Sequence, residues 1–136
     1  MPSEDQQQQI FLSDVHWIFD GDKFDDLQSF ELAVRKAQIE FLDHDDDWHP
    51  EEIIVEFPAV RISFICEIDG RDVEQELFLE SSDPKGFSTC ELLFKIHNAV
   101  VEPLCDDSHN FFEGLCYNKS CQEPGKPPIF HLGLGS

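Results

Sequence analysis

Residues 60–80, with the sequence VRISFICEIDGRDVEQELFLE, decide the fold of this chain. Two runs that are rich in β-forming side chains, Val60 to Ile68 and Arg71 to Glu80, flank the dipeptide Asp69-Gly70. An Asp-Gly pair favours a two-residue type I′ turn, because both central positions of that turn need positive φ angles. The stretch therefore predicts an antiparallel β-hairpin.

A two-residue turn also fixes which residues of the two strands lie opposite each other. One face of the hairpin is then almost wholly apolar, with the pairs Cys66 and Val73, Phe64 and Gln75, Ile62 and Leu77, and Val60 and Leu79. The other face carries Arg61, Ser63, Ile65 and Glu67 opposite Phe78, Glu76, Glu74 and Asp72. Such a division is typical of an antiparallel sheet that has one face on the core and one in water. We expect the apolar face to be covered by helices.

Two helices are predicted by spacing and by capping residues. Residues 23–42 carry apolar side chains at the spacing of one helical face, at Leu27, Phe30, Val34, Ala37 and Phe41. Ser88 followed by Glu91 has the pattern of a capping box, which predicts a second helix from Thr89 to about Glu102. Pro103 ends that helix.

Four further strands complete the expected fold: Ile10 to Phe19, Glu51 to Phe57, Phe111 to Tyr117 and Ile129 to Leu134. The predicted order is β-α-β-β-β-α-β-β, which is an α+β fold with a single antiparallel sheet and two helices packed on one face. We expect residues 1–9 to be a disordered tail and residues 10–136 to be one domain, since the length fits a single domain.

The charge of the chain is far from balanced. It has 29 Asp and Glu against 9 Lys and Arg, a formal net charge of −20. Direct binding to nucleic acid or to an anionic membrane is disfavoured, because both are polyanions. From Glu40 to Glu56 there are eight acids and no Lys or Arg. General solubility does not require such a local concentration, and a basic protein is the natural complement.

The sequence also indicates a compartment. No stretch is long and apolar enough to span a membrane, and the N-terminus lacks the parts of a signal peptide. Five scattered cysteines are typical of free thiols in a reducing cytoplasm rather than of a disulfide framework. A zinc set built from Cys105, His109, Cys116 and Cys121 is the alternative, although structural zinc sites show tighter paired spacings.

The segment Asp43 to His49, DHDDDWH, allows three interpretations. It is a solvated acidic loop, a docking surface for a partner, or a site for a divalent cation, although it lacks the ligand pattern of an EF-hand. Trp48 either pins this loop onto the core or is an exposed anchor ringed by acids. The candidate partner-binding residues are Asp43, Asp45, Asp46, Asp47, Trp48, Glu51 and Glu52, with Asp20, Asp22, Asp25 and Asp26 as a second patch.

Motifs for catalysis are missing from the sequence. It has no phosphate-binding Gly-rich loop, no dinucleotide fingerprint, no nucleophile elbow and no zincin helix. We therefore expect a binding protein rather than an enzyme, with no cofactor, no dedicated metal and no catalytic residue.

In size, charge, expected cytoplasmic location and α+β layout, the chain resembles the immunity proteins that bacteria keep against the toxin domains of competing cells. The resemblance covers the composition of the whole chain and no specific motif, so it assigns no individual residue. It implies that the chain blocks a basic, nuclease-like toxin domain or another cationic effector. The alternatives are a DNA mimic that inhibits a nucleic-acid-binding protein, and a metal-dependent enzyme that uses residues 43–49.

Overall fold

The computed structural model describes residues 8–104 and 110–135. The helices are α1 (Leu27–Leu42) and α2 (Thr89–Val100), and a 3-10 turn spans Lys119–Cys121. The strands, in chain order, are β1 (Gln8–Phe11), β2 (Ile53–Val55), β3 (Ala59–Ile68), β4 (Arg71–Glu80), β5 (Phe87–Ser88), β6 (Phe111–Asn118) and β7 (Ile129–Gly135).

The central hairpin is confirmed, together with its register. β3 and β4 pair antiparallel, with Cys66 opposite Val73 and Val60 opposite Leu79. Asp69 and Gly70 have φ angles of 53° and 77°, as a type I′ turn requires. On the inner face of β3, Val60, Ile62, Phe64 and Cys66 are buried. On the opposite face, Ile65 and Phe78 are more than half exposed, at 53% and 59%.

The main sheet is mixed, so the prediction of a single antiparallel sheet is wrong. Its strand order is β1-β6-β7-β3-β4, and β3 pairs parallel with β7 through residues 61–63 and 129–131. The last two strands form an antiparallel pair that lies between β1 and β3, which brings β7 beside β3 in the same direction. β2 and β5 form a second, two-stranded sheet, and β5 was missing from the predicted order.

The N-terminal segment bends where one straight strand was expected. β1 begins at Gln8, inside the range of residues 1–9 that was expected to be a tail, and residues 1–7 lie outside the described part of the chain. Leu12 has a φ of 63°, which interrupts the strand. Beyond the bend, the carbonyl of Trp17 accepts a hydrogen bond from the Phe112 amide at 2.9 Å. The segment therefore meets β6 twice, on either side of the bend.

Helix α1 is shorter than predicted, and its buried stripe is rotated. The Asp26 carboxylate accepts a hydrogen bond from the Ser29 amide at 2.7 Å, so Asp26 is the N-cap and the helix begins at Leu27. The buried residues are Phe30, Val34 and Gln38. Leu27 and Phe41, which were expected in the stripe, are 43% and 58% exposed.

Helix α2 begins as predicted but ends at Val100, two residues earlier than expected. The Ser88 hydroxyl accepts from the Glu91 amide at 3.1 Å, which is one half of a capping box. The Glu91 carboxylate does not complete the box. It accepts from the amide and hydroxyl of Ser82 at 2.8 and 2.7 Å, and so ties the loop before β5 to the helix.

The core lies on the inner face of the sheet. Both helices contribute to it, mainly through Phe30, Val34, Leu92, Leu93 and Ile96, which are fully buried. Val73, Leu77 and Leu79 on the inner face of β4 are only half-buried, although we expected them in the core. The reason is the position of β4 at the edge of the sheet, where a strand has neighbours on one side only.

Candidate functional site

The acidic segment, residues 43–52, follows α1 directly and is mostly exposed. Asp43 ends the helix in the left-handed conformation, with its amide donating to the Ile39 carbonyl at 3.0 Å. Asp45 is half-buried and lies 4.0 Å from the Arg35 guanidinium. The exposed acids of this segment are Asp43, Asp46, Asp47, Glu51 and Glu52.

Trp48 pins this segment to the molecule. Its side chain is only 4% exposed and belongs to the core, and its amide donates to the Asp45 carbonyl at 3.0 Å. This burial agrees with the loop-pinning interpretation and not with an exposed anchor. The indole Nε1 has no hydrogen-bond partner among the described residues. Trp48 therefore holds the acidic segment against the core, and its indole is not exposed for contact with a partner.

A groove of about 870 Å³ lies beside the acidic segment. The chain turns at Trp48 and runs back along α1, so that residues 48–52 face the first half of that helix. Ser88 and Cys90, at the start of α2, form the remaining wall of the groove. Its lining comprises Leu27, Gln28, Glu31 and Arg35 from α1, Trp48, His49, Pro50, Glu51 and Glu52 from the segment, and Ser88 and Cys90.

The groove combines carboxylates with apolar surface. Glu31, Glu51 and Glu52 supply negative charge, while Leu27 and Pro50 supply apolar contact. Arg35, the only Lys or Arg in this lining, pairs with Glu31 one turn earlier on the same helix. Lys and Arg side chains need such a combination, because their stems pack on apolar surface while their charged heads stay near water or an acid.

Cys90, the one thiol in the lining, has an environment that suppresses its reactivity. It is 3% exposed, and burial together with the charge of Glu31 raises the pKa of the thiol to about 12. A thiol is nucleophilic only as the thiolate. Cys90 therefore stays protonated at neutral pH and acts as a small apolar wall of the groove.

Two residues of the second predicted patch, which comprises Asp20, Asp22, Asp25 and Asp26, form hydrogen bonds that stabilise the fold. Asp26 caps α1, and its bonds with Ser29 lower the pKa of its carboxyl group. The backbone carbonyl of Asp22 accepts a hydrogen bond at 3.0 Å from Nε2 of the buried His97. The side chains of Asp20, Asp22 and Asp25 are exposed. Only these three remain available to a partner without breaking a helix cap.

Sequence reasoning missed the groove and the part that Glu31 has in it. The acidic run between residues 40 and 56 indicated the segment but not the surface against which it lies. Glu31 comes one residue after the buried Phe30 and four before Arg35, which is an ordinary helical ion pair in the sequence. Only the return of residues 48–52 along α1 places Glu31 in the same groove as Glu51 and Glu52.

Other features bear on the alternative interpretations. Within residues 8–104 and 110–135, no three His, Cys, Asp or Glu side chains are grouped so that they could hold a metal ion. In the acidic segment, Nδ1 of His44 lies 3.9 Å from a carboxylate oxygen of Asp46. Cys105 and His109, which belong to the alternative zinc set, lie outside the described residues. No helix in the described part of the chain is long and apolar enough to cross a membrane.

Comparison with known proteins does not assign the chain to a class. No family model, no curated protein and no solved structure matches it.

Proposed function

We propose that this chain is a small acidic binding protein of the cytoplasm that neutralises a basic protein partner, in the manner of a bacterial immunity protein that blocks a nuclease-like toxin domain. The observation that carries the proposal is the exposed acidic segment beside the groove. The partner's basic surface meets Asp43, Asp46, Asp47, Glu51 and Glu52, and one of its Lys or Arg side chains enters the groove.

The electrostatics of the segment support this proposal. Among the described residues, Asp47, Glu51 and Glu52 have no ion-pair partner, and Asp46 has only the histidine His44 nearby. Exposed and uncompensated charge on one side of a molecule accelerates association with an oppositely charged surface. It does not stabilise the fold itself, because excess charge of one sign opposes compaction by self-repulsion.

The groove adds a second kind of contact, in which a charged side chain of the partner is removed from water. A partner's side chain in the groove would pack its methylene groups on Leu27 and Pro50 and carry its charge to Glu51 or Glu52. Truncation of one partner in such a buried charge pair typically costs about 2–5 kcal/mol of binding. The exposed acids outside the groove, Asp43, Asp46 and Asp47, mainly set the association rate.

The test begins with purification of the tagged chain and its bound partner from the source cell, followed by stopped-flow association at low and high salt. The test variant reverses four charges of the segment, as Asp46→Lys, Asp47→Lys, Glu51→Lys and Glu52→Lys. Asp45 is left intact because of its contact with Arg35. We expect the association rate at low salt to fall by about tenfold or more.

A matched control reverses four exposed acids outside residues 43–52, Asp14, Glu40, Glu56 and Glu113, and so changes the net charge by the same amount. It should retain most of the association rate. Equal losses in the two variants would mean that only net charge matters. Undiminished binding by the segment variant, or a partner without a basic surface, would refute the proposal.

A further inference from the structure

Strand β4 is an exposed edge of unusual length for a natural sheet. It runs over Arg71–Glu80, and among the described strands only β3 pairs with it. The pairing with β3 continues over ten residue pairs with no shift in register. Proteins usually interrupt such edges with bulges or shorten them, because an unpaired edge can template another strand. Here the edge is long and regular.

The register shows which backbone groups are available. A two-residue turn makes Ile68 and Arg71 a hydrogen-bonded pair, so the odd-numbered residues of β4 bond to β3. The Ser81 amide continues this pattern by donating to the Pro58 carbonyl at 2.8 Å. The even-numbered residues direct their amides and carbonyls outward. The carbonyl of Glu80 accepts from Lys95, which leaves Asp72, Glu74, Glu76 and Phe78 as the open stretch.

The two faces of this edge have different chemistry. On the outer face, Asp72, Glu74 and Glu76 place three carboxylates in a row at alternate positions. Arg61 lies 3.7 Å from Glu76, but its side chain is 12% exposed and also contacts Glu123 at 3.0 Å. On the inner face, Val73, Leu77 and Leu79 are half-buried, and no described strand lies beside them on the open side of β4.

We propose that the edge of β4 binds an extended, basic segment of a partner protein as an added antiparallel strand, with Lys or Arg alternating with apolar residues. The backbone of that segment pairs with residues 72–78. Its cationic side chains lie over Asp72, Glu74 and Glu76, and its apolar side chains extend the core beside Leu77. An antiparallel alignment follows from the slightly greater stability of antiparallel pairs.

A second copy of the same chain does not fit this edge. Pairing two β4 strands would place one row of carboxylates beside an identical row, and like charges on neighbouring strands are destabilising. The acidic row thus opposes self-association while it favours a basic strand. The carboxylates therefore keep the long edge from pairing with a second copy of this chain, whose net charge is −20.

This inference rests on the proposed function in one respect, namely that the partner is basic. It concerns a different surface from the groove beside the acidic segment. The probe is therefore a blocked seven-residue peptide of alternating lysine and valine, KVKVKVK, rather than an unidentified protein. A block peptide of the same composition, KKKKVVV, has equal charge but no alternation, and it serves as the matched control.

The primary measurement is amide hydrogen exchange by NMR, with and without the alternating peptide. Binding should protect the outward amides of Asp72, Glu74, Glu76 and Phe78, and the block peptide should not. In an antiparallel pair, the lysine amides of the peptide face β4. N-methylation of its two inner lysines should therefore weaken binding about tenfold or more, while N-methylation of two valines should not.

A pair of protein variants tests the same backbone contact without changing charge. Phe78→Pro removes one outward amide at a position where proline does not interrupt the pairing with β3. Phe78→Ala removes the same aromatic side chain but keeps the amide. The proline variant should bind the alternating peptide several-fold more weakly than the alanine variant. The N-methylated peptides keep the test decisive if the proline variant fails to fold.

Several outcomes would overturn the inference. Failure of the alternating peptide to bind at low salt would contradict it, and so would equal binding of the block peptide. The same holds if N-methylation of the lysines does not weaken binding more than N-methylation of the valines. A dimer whose outward β4 amides are protected before peptide is added would also contradict it. Loss of peptide binding in the segment variant (Asp46, Asp47, Glu51 and Glu52 to Lys), with β4 amides unprotected, would also refute it. That last result would leave the proposed function standing.

Discussion

His97 shows how a single polar residue is accommodated in this core. Its Nδ1 accepts from the indole of Trp17 at 3.2 Å, so its Nε2 must carry the proton that is donated to the Asp22 carbonyl. Burial lowers the pKa of the imidazole below its ordinary value of 6.5, although the bond to Asp22 and the charge of Asp20 partly oppose this shift. The folded chain therefore holds His97 neutral.

The lowered pKa of His97 predicts a pH dependence of stability. The unfolded chain takes up the proton near pH 6.5 and the folded chain only at lower pH, so stability is present above pH 6.5 and is lost as pH falls below it. We expect the free energy of unfolding to decline by at most about 1.4 kcal/mol per pH unit from this group. Urea unfolding of wild type and His97→Gln at pH 8 and 5.5 isolates the effect. An equal difference between the two proteins at both pH values would contradict it.

Gly86 is a second position where one residue controls local structure. Its φ is 138°, and a Cβ there would lie 1.9 Å from the Val55 carbonyl oxygen, at the contact between β2 and β5. Gly86→Ala should cost about 3 kcal/mol or more of folding stability, since backbone would have to shift. Gly125 has a φ of 78° with no atom within 4 Å of a Cβ. Gly125→Ala, the control, should cost about 1 kcal/mol. Similar losses of stability in the two variants, measured by thermal or urea unfolding, would contradict the predicted clash at Gly86.

At the scale of elements, amide side chains hold the N-terminal segment against the helices. Gln38 of α1 accepts from the His16 amide at 2.8 Å and donates to the His16 carbonyl. Asn98 of α2 does the same for Phe24, at 2.9 and 3.0 Å. Each amide thus satisfies a backbone donor and a backbone acceptor, as a neighbouring strand would.

Removal of either amide should detach part of this segment. Gln38→Ala and Asn98→Ala should each lower the free energy of unfolding by about 1–3 kcal/mol, because part-buried backbone groups would lose their partners. Hydrogen exchange should accelerate at His16 in the first variant and at Phe24 in the second. Gln28→Ala, an exposed substitution on α1, is the control and should change stability by less than about 0.5 kcal/mol. Unchanged exchange at these two amides would refute the role.

At the scale of the whole molecule, the net charge of −20 opposes folding by self-repulsion. Added salt should therefore raise the melting temperature, since the Debye length shrinks from about 10 Å at 0.1 M to about 3 Å at 1 M. Each kcal/mol gained corresponds to about 4 °C for a domain of this size. Calorimetry in 0.05 and 0.5 M NaCl measures the change.

A variant with four neutralised surface acids provides the control for this salt effect. Asp14→Asn, Glu40→Gln, Glu56→Gln and Glu113→Gln should reduce the dependence on salt and raise stability at low salt. A melting temperature that does not respond to salt in the wild-type chain would mean that the charges are already well compensated in the fold.

The same large charge relates the two proposed surfaces to each other. The groove lies between α1 and the segment that follows it, and the β4 edge lies at the end of the main sheet. Both present carboxylates beside apolar side chains, and both suit a partner that is basic. A partner can meet them separately, so each surface requires its own test.

Short-range patterns in the sequence were sufficient to predict several elements of the structure. The Asp69-Gly70 turn determined the β3–β4 register, because the turn needs two positive φ angles and the side chains alternate with period two. Ser88 determined the start of α2 through its side-chain cap. The acidic character of residues 43–52 and their exposure were likewise predictable, since charged side chains between elements stay in water.

Tertiary structure decided what local patterns could not. The parallel contact of β3 with β7 joins residues more than 60 positions apart, and no local pattern specifies that pairing. Gln38 occupies a buried position that its polarity argued against, because its partner, the His16 backbone, comes from the bent N-terminal segment. The groove depends on where the chain goes after Trp48, and burial of that indole turns it back along α1. Composition determined that the surface is acidic, whereas long-range packing decided which acids stand together.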